Sequence, residues 1–232
     1  MNKANEPIVS PLNRDKLPEL VVAQIKELIF SNSIAVGEKL PSERDLAEQF
    51  QISRTMVREG LNSLEHSGLV EICRGRSAGA YVVDNLHKPL SDSTVNMMKS
   101  GKIDIQHFID ARKAIECYGL RQTIGKITEE DLKKLEGDND EFLKQYDRRL
   151  EAMDAQRDAR FHLTISELSK NPLLTMMLRS LLDLMAEKDF QSIAGSRFRV
   201  KAHKVHVQIV EAMRQKDWDL AEYLLAKNID QT

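Results

Sequence analysis

A mostly α-helical protein in two parts is what this sequence predicts: short helices closed by a small β-hairpin, then an all-α helical bundle. Three observations carry the prediction. Between positions 37 and 68 two short helical patterns follow one another, each opened by a serine that can cap it. Residues 69–83 read as two short apolar runs around a glycine-rich turn. From about position 103 onward, apolar residues recur at helical spacing and no convincing strand appears. The expected domains are therefore 10–84 and 101–232, with a linker over 85–100 (NLHKPLSDSTVNMMKS) marked by its Pro, Ser, Asp and Asn content.

The 232 residues are enough to bury a core in each part. A composition 41 % hydrophobic and 30 % charged excludes a disordered chain. No apolar run approaches the roughly 18 residues of a membrane span, and the opening MNKANEPIVSPLNRD lacks the apolar core of a secretory signal, so no membrane partner is expected and the protein is expected to be cytoplasmic. Cys73 and Cys117 fall in different expected elements and read as reduced thiols. A net charge of −2 excludes binding to nucleic acid through bulk positive charge; any such contact has to be local.

In the N-terminal part, Pro18 suits a helix start, and Val22, Ile25, Leu28 and Ile29 form its stripe, with Asn32 and Gly37 bracketing its end. Leu40-Pro41 breaks the chain, and Ser42 with Asp45 three residues on opens a helix to about Phe50, with Leu46, Ala47 and Phe50 facing inward. Gln51-Ile52 makes a turn, and Ser53 caps a helix from Arg54 to about His66. There Val57, Leu61 and Leu64 point one way, while Thr55, Arg58 and Asn62 lie away from that stripe. A helix with basic and hydrogen-bonding residues at its exposed start suits a DNA major groove, where arginine grips guanine bidentately or holds phosphate, and Ser53 and Thr55 add phosphate bonds beside the helix N-terminus. Strands at 69–72 and 80–83 around the turn from Arg74 to Gly79 form a wing tipped by Arg74, Gly75 and Arg76. Residues 1–84 hold 10 Lys/Arg against 12 Asp/Glu, so the arginines at the helix start and wing tip, rather than net charge, are the binding signal.

The run GEKLPSERDLA (37–47), then ISRTMVRE (52–59), Leu64 and Gly68-Leu69-Val70 resembles the winged helix-turn-helix of the GntR family of bacterial transcription regulators, over about residues 10–84. That resemblance implies that Arg44, Arg54 and Arg58 are the main DNA-contacting arginines and that the Gly75 wing tip enters the minor groove. It also implies a homodimer reading a palindromic double-stranded operator. Ser77-Ala78 lengthen the wing turn relative to the common pattern.

The remainder shows helical spacing over 103–125, 128–147, 150–170, 172–193, 197–215 and 217–230. Polar residues interrupt its apolar stripes: Arg112 among Ile105, Phe108, Ile109, Ile115 and Gly119; Asp158 and His162 with Phe161, Ile165 and Leu168; His206 with Ile209, Val210 and Met213; and Asn228 with Ala221, Leu224 and Leu225. Inward polar groups need partners, because burying them unpaired costs several kcal/mol in total. One carboxylate and two imidazoles, with Asp158 and His162 at i, i+4, suit a divalent transition metal; satisfied core polar groups are the alternative. Arg112 suits an effector carboxylate, or a salt bridge to Glu116 or to an acid on a neighbouring helix.

Arg112 with Glu116, Asp158-Ala-Arg-Phe-His162, Asn171, His206-x-x-Ile209 and Asp217…Ala221 resemble the FCD-type effector domain of the FadR subfamily of GntR regulators. The resemblance implies an Asp and three His holding Zn or Ni beside a small organic acid. Asp158, His162 and His206 match the first three positions, and the fourth falls on Asn228, an amide oxygen in place of an imidazole. The site is completed by Asn228 or water, by His203 one turn before His206, or it takes effector without metal. Two further readings are a large apolar effector such as a fatty acyl-CoA, and a metalloenzyme activating water at the same residues. The second lacks a clear general base or an HExxH-like pattern.

Overall fold

The computed structural model describes residues 16–144, 151–186 and 198–231. The chain divides into two compact units, 1–89 and 90–232. The N-terminal arm before Lys16 lies outside the described residues.

In the first unit, α1 (Leu17–Phe30) carries Pro18 in its first turn, where a missing N–H costs nothing. Its buried residues are Val21 and Ile25, because that side packs on the third helix; Leu28, expected inward, is 42 % exposed, and Val22 and Ile29 are only partly covered. Several apolar residues define a stripe wider than the one neighbour it meets, and tertiary contact selects part of it. Ser42 caps α2 (Glu43–Phe50) by accepting from the Asp45 N–H at 3.2 Å, and Gln51 ends it in the left-handed conformation. Ser53 likewise caps α3 (Arg54–His66), whose Val57, Leu61 and Leu64 are buried.

Strands β1 (Val70–Cys73) and β2 (Gly79–Val82) pair antiparallel with Val70 opposite Val82 and Cys73 opposite Gly79, one residue displaced from the expected 69–72 and 80–83. The displacement follows from the end of α3: the Leu69 N–H still bonds back to the Leu64 carbonyl, and Gly68 turns the chain at φ +73°. A Cβ at Gly68 would stand 2.0 Å from the Asn85 carbonyl oxygen, so only glycine fits both the dihedral and the space. The lengthened wing turn is a 3₁₀ turn over Gly75–Ser77. The segment before α2 adds to the hairpin edge, with Leu40 N–H bonding Ala80 O and Val82 N–H bonding Glu38 O.

The described residues of the second unit form helices joined by turns, with no strand among them. The expected linker contains α4 (Lys88–Lys99), whose Ser91 and Thr94 are buried and whose Ser91 hydroxyl donates to Asp183 at 2.6 Å. Then follow α5 (Ile105–Arg121), α6 (Glu129–Lys144), α7 (Glu151–Leu168), α8 (Pro172–Leu182) with a 3₁₀ turn over Asp183–Ala186, α9 (Phe198–Arg214) and α10 (Trp218–Ile229). Of the expected helices, positions 145–147, 150, 187–193 and 197 lie outside the described residues. Asp104, Asn171 and Asp217 cap α5, α8 and α10. Phe108, Leu120, Phe161, Ile165, Leu178 and Ile209 are at most 2 % exposed, each burial contributing roughly 1.5–3 kcal/mol. Arg121 pairs with Asp219 and Glu222, and Lys113 with Asp230, joining α5 to α10 along their outer edges. No helix among the described residues is long and apolar enough to cross a membrane.

Candidate functional site

Two groups of side chains stand out, one in each unit. In the first, the Ser53 hydroxyl is engaged as the α3 cap, while Arg54, Thr55, Arg58 and Asn62 are exposed along one side of α3. The Arg58 guanidinium does not hang free. Its Nε donates to Glu43 Oε1 at 3.1 Å and to Oε2 at 3.2 Å, and its Nη2 donates to Oε2 at 2.7 Å. This bonding with Arg58 holds the Glu43 carboxyl below the usual carboxylate range, outweighing its small burial, with the Arg54 charge adding to it. Arg44 is exposed on α2 beside Asp45 and Glu48, at 3.5 and 3.9 Å.

On the wing, Arg74, Gly75 and Arg76 are exposed. The long turn is fastened from both sides: Lys39 Nζ donates to the Ala78 carbonyl at 2.6 Å, and Tyr81 Oη donates to the Ser77 carbonyl at 3.2 Å. Gly79 makes room for this, since a Cβ there would lie 2.2 Å from Lys39 Cε. Glu43 and Lys39 escaped the sequence reading as site residues, although both lie in the motif. An acid at a helix start reads as ordinary capping charge, and its partner is fifteen residues away.

In the second unit, Asp158, His162 and His206 converge, with one ligand atom from each lying within 4.8 Å of the others. All three are buried, at 5 %, 1 % and 1 % exposure. His162 Nε2 stands 3.7 Å from Asp158 Oδ2, and His206 Nε2 stands 3.7 Å from Asp158 Oδ1. Both imidazoles are held from behind. His162 Nδ1 donates to Glu116 Oε2 at 2.5 Å, and His206 Nδ1 donates to Asn139 Oδ1 at 3.2 Å. With Nδ1 occupied as the donor in each ring, Nε2 faces the Asp158 carboxylate. Phe161 stacks on the His206 ring with centroids 3.9 Å apart and meets the His162 ring edge-on.

Glu116 is itself paired with Arg112, Nε to Oε1 at 2.7 Å, and the two are 2 % and 0 % exposed. Burial pushes the Glu116 carboxyl up, but Arg112 and His162 together outweigh it and hold the group below its ordinary range. Arg112 therefore makes the salt bridge that was one of its two expected roles, with Nη1 3.6 Å from Met185 Sδ. Asn139 was not anticipated: on α6 nothing but its position distinguishes it from other polar residues, and it becomes visible only when α6 is laid against α9. Asn228 is buried on α10 at 1 % exposure. The side chain of His203 lies outside the described residues.

The residues fit a divalent transition metal. The donor set is two imidazoles and a carboxylate, and His162 Nε2 is buried with no hydrogen bond among the described residues. Each histidine also donates its other N–H to an oxygen acceptor, the support that metal-ligating histidines usually have. When bound, such an ion supplies an open coordination position for an anionic ligand. Asp158, His162 and His206 would hold it.

Comparison with known proteins agrees with both units. Residues 107–231 match the FCD domain, and residues 17–80 match the bacterial regulatory proteins of the gntR family. Among curated relatives, the HTH-type transcriptional repressor NanR of Cronobacter sakazakii is 29 % identical over 242 residues, covering 95 % of this chain and 85 % of the relative. NanR of Salmonella newport is 28 % identical over 229 residues, with 95 % and 85 % covered. A solved structure, Streptococcus agalactiae GntR, shares the fold with a TM-score of 0.64 at 21 % identity, covering 92 % of this chain and 97 % of that one. The curated relatives are transcriptional repressors rather than enzymes. With one family matched across the winged unit and the FCD domain matched across more than half of the chain, the protein belongs to the gntR family of bacterial regulatory proteins, in the group that carries an FCD domain.

Proposed function

We propose that the chain is a DNA-binding transcriptional repressor whose operator affinity is set by a small organic acid bound in the helical unit, with Asp158, His162 and His206 holding a Zn or Ni ion and Asn228 at the fourth position. The observation that carries the effector half is the buried Asp158–His162–His206 cluster with Glu116 and Asn139 behind its imidazoles. Such a cluster is expensive to bury and easily replaced by apolar residues unless it binds something. The repressor half draws on the relatives' name. The chain acts as a cytoplasmic homodimer in which two winged units read the half-sites of a palindrome. Arg54, Thr55 and Arg58 enter the major groove, Arg44 and Ser53 contact the backbone beside them, and Arg74, Gly75 and Arg76 meet the minor groove. Effector and operator affinities are linked reciprocally, because the ligand changes the balance between dimer arrangements.

Two measurements test this. Arg54→Ala and Arg58→Ala are each expected to lower affinity for an operator selected from a random duplex library by roughly tenfold or more, with a steep salt dependence in the wild type. Unchanged binding in both variants refutes the DNA assignment. Metal analysis of the purified chain is expected to give one transition metal per protomer, lost in His162→Ala. A metal-free chain that also fails to bind added Zn or Ni refutes the metal.

A further inference from the structure

Among the arginines expected to reach DNA, Arg58 is the one whose guanidinium already carries a bidentate partner. Glu43, the first residue of α2, receives Nε and Nη2 of Arg58 in a fork, and Arg58 remains 62 % exposed beyond it. A guanidinium has five N–H donors. The fork engages the Nε hydrogen and one on Nη2, which leaves three donors, two of them side by side on the open Nη1/Nη2 edge.

We infer that Glu43 is a specificity-determining positioning residue: it fixes Arg58 before binding, so that the remaining edge of the guanidinium is presented to one operator site rather than to any phosphate within reach. This rests on the proposed role of Arg58 in DNA contact. The sign of the electrostatics makes the idea testable. Glu43 places a negative charge on a surface that approaches a polyanion, so by charge alone it weakens binding to every duplex equally. A loosely held arginine on a flexible stem would find phosphates anyway and would gain from losing that acid. With both its oxygens bonded to the guanidinium, the acid has its use in geometry, and the same charge also weakens non-specific binding. Both effects raise the ratio of operator affinity to non-specific affinity. The lowered carboxyl pKa of Glu43 is consistent with a persistent ion pair, and Arg54 lies near enough to contribute to it.

The test uses the full-length chain and two duplexes: the operator selected by the wild type, and poly(dI-dC). Glu43→Ala is expected to lower operator affinity about tenfold while leaving poly(dI-dC) affinity unchanged or raised. Glu43→Gln, which keeps one amide oxygen as an acceptor, is expected to fall between wild type and Glu43→Ala on the operator. Glu43→Asp, which keeps the charge but loses reach, is expected to behave like Glu43→Ala on the operator and like wild type on poly(dI-dC). Circular dichroism melts of the variants check that the winged unit stays folded. If Glu43→Ala tightens both duplexes equally, the acid is only repulsive and the inference is overturned. Equal weakening on both, or no change on either, overturns it as well. When Arg58→Ala weakens operator binding but Glu43→Ala does not, only this inference fails. When Arg58→Ala changes nothing, the DNA role of Arg58 fails and takes the inference with it.

Discussion

Replacing Arg112 by methionine should cost the helical unit far more than replacing Arg112 and Glu116 together. The two charges lie 2.7 Å apart at 0 % and 2 % exposure. At an effective dielectric of about 20 their attraction is roughly 6 kcal/mol, which about offsets the several kcal/mol each ion loses on leaving water. Arg112→Met removes the attraction and leaves Glu116 desolvated with His162 as its remaining partner. The expected destabilisation is about 3–5 kcal/mol, a large part of a typical domain's stability. In Arg112→Met/Glu116→Leu the stranded charge is gone, and the main residual cost is the His162 Nδ1–H that loses its acceptor, about 1–3 kcal/mol. The second substitution therefore rescues the first. Urea denaturation followed through Trp218, the single tryptophan, reports on the helical unit alone. The measurement belongs in chelator, so that metal loss does not add to the difference. A double variant no more stable than Arg112→Met, or an Arg112→Met cost below about 1 kcal/mol, refutes the reasoning.

Three other outcomes are expected. Asn139→Leu should weaken Zn or Ni binding about 10–100-fold in a chelator competition, and Asn139→Asp, which keeps an oxygen facing His206 Nδ1, should recover most of it. The Cys117 thiol is pushed up to about 12, chiefly by burial and then by the Glu222 and Glu116 charges. At pH 8 only roughly one molecule in ten thousand then carries the thiolate, and alkylation of Cys117 measured by mass spectrometry should be negligible at pH 8 and rise about tenfold per pH unit above it. Labelling at the rate of an unperturbed thiol contradicts that. Gly68→Ala should destabilise the winged unit by about 1–3 kcal/mol from backbone strain alone. The contact with the Asn85 carbonyl adds to this, and lowered operator affinity and an earlier melt are the readouts.

Much of this protein was legible in one dimension. Ser42 and Ser53 announce helix starts through bonds made within three residues, and those bonds form as expected, while Pro18 marks one by its fixed φ and missing N–H. Asp158, His162, His206 and Arg112 betrayed themselves as polar interruptions of apolar stripes, a signal that depends on helical period and on nothing distant. Less was legible where the deciding neighbour is far along the chain. The inward side of α1 is chosen by α3, the residues 88–99 form a helix held by Asp183, and neither fact is local.

What the sequence alone determined is therefore the kind of element at each position and the list of side chains that would need partners inside the bundle, because period and capping are short-range. Only the tertiary structure decided who the partners between helices are: Glu116 and Asn139 behind the two histidines, and Glu43 holding Arg58. Hydrogen bonds between helices depend on ångström-scale separation and angle, and packing, which sets both, is a property of the whole folded unit.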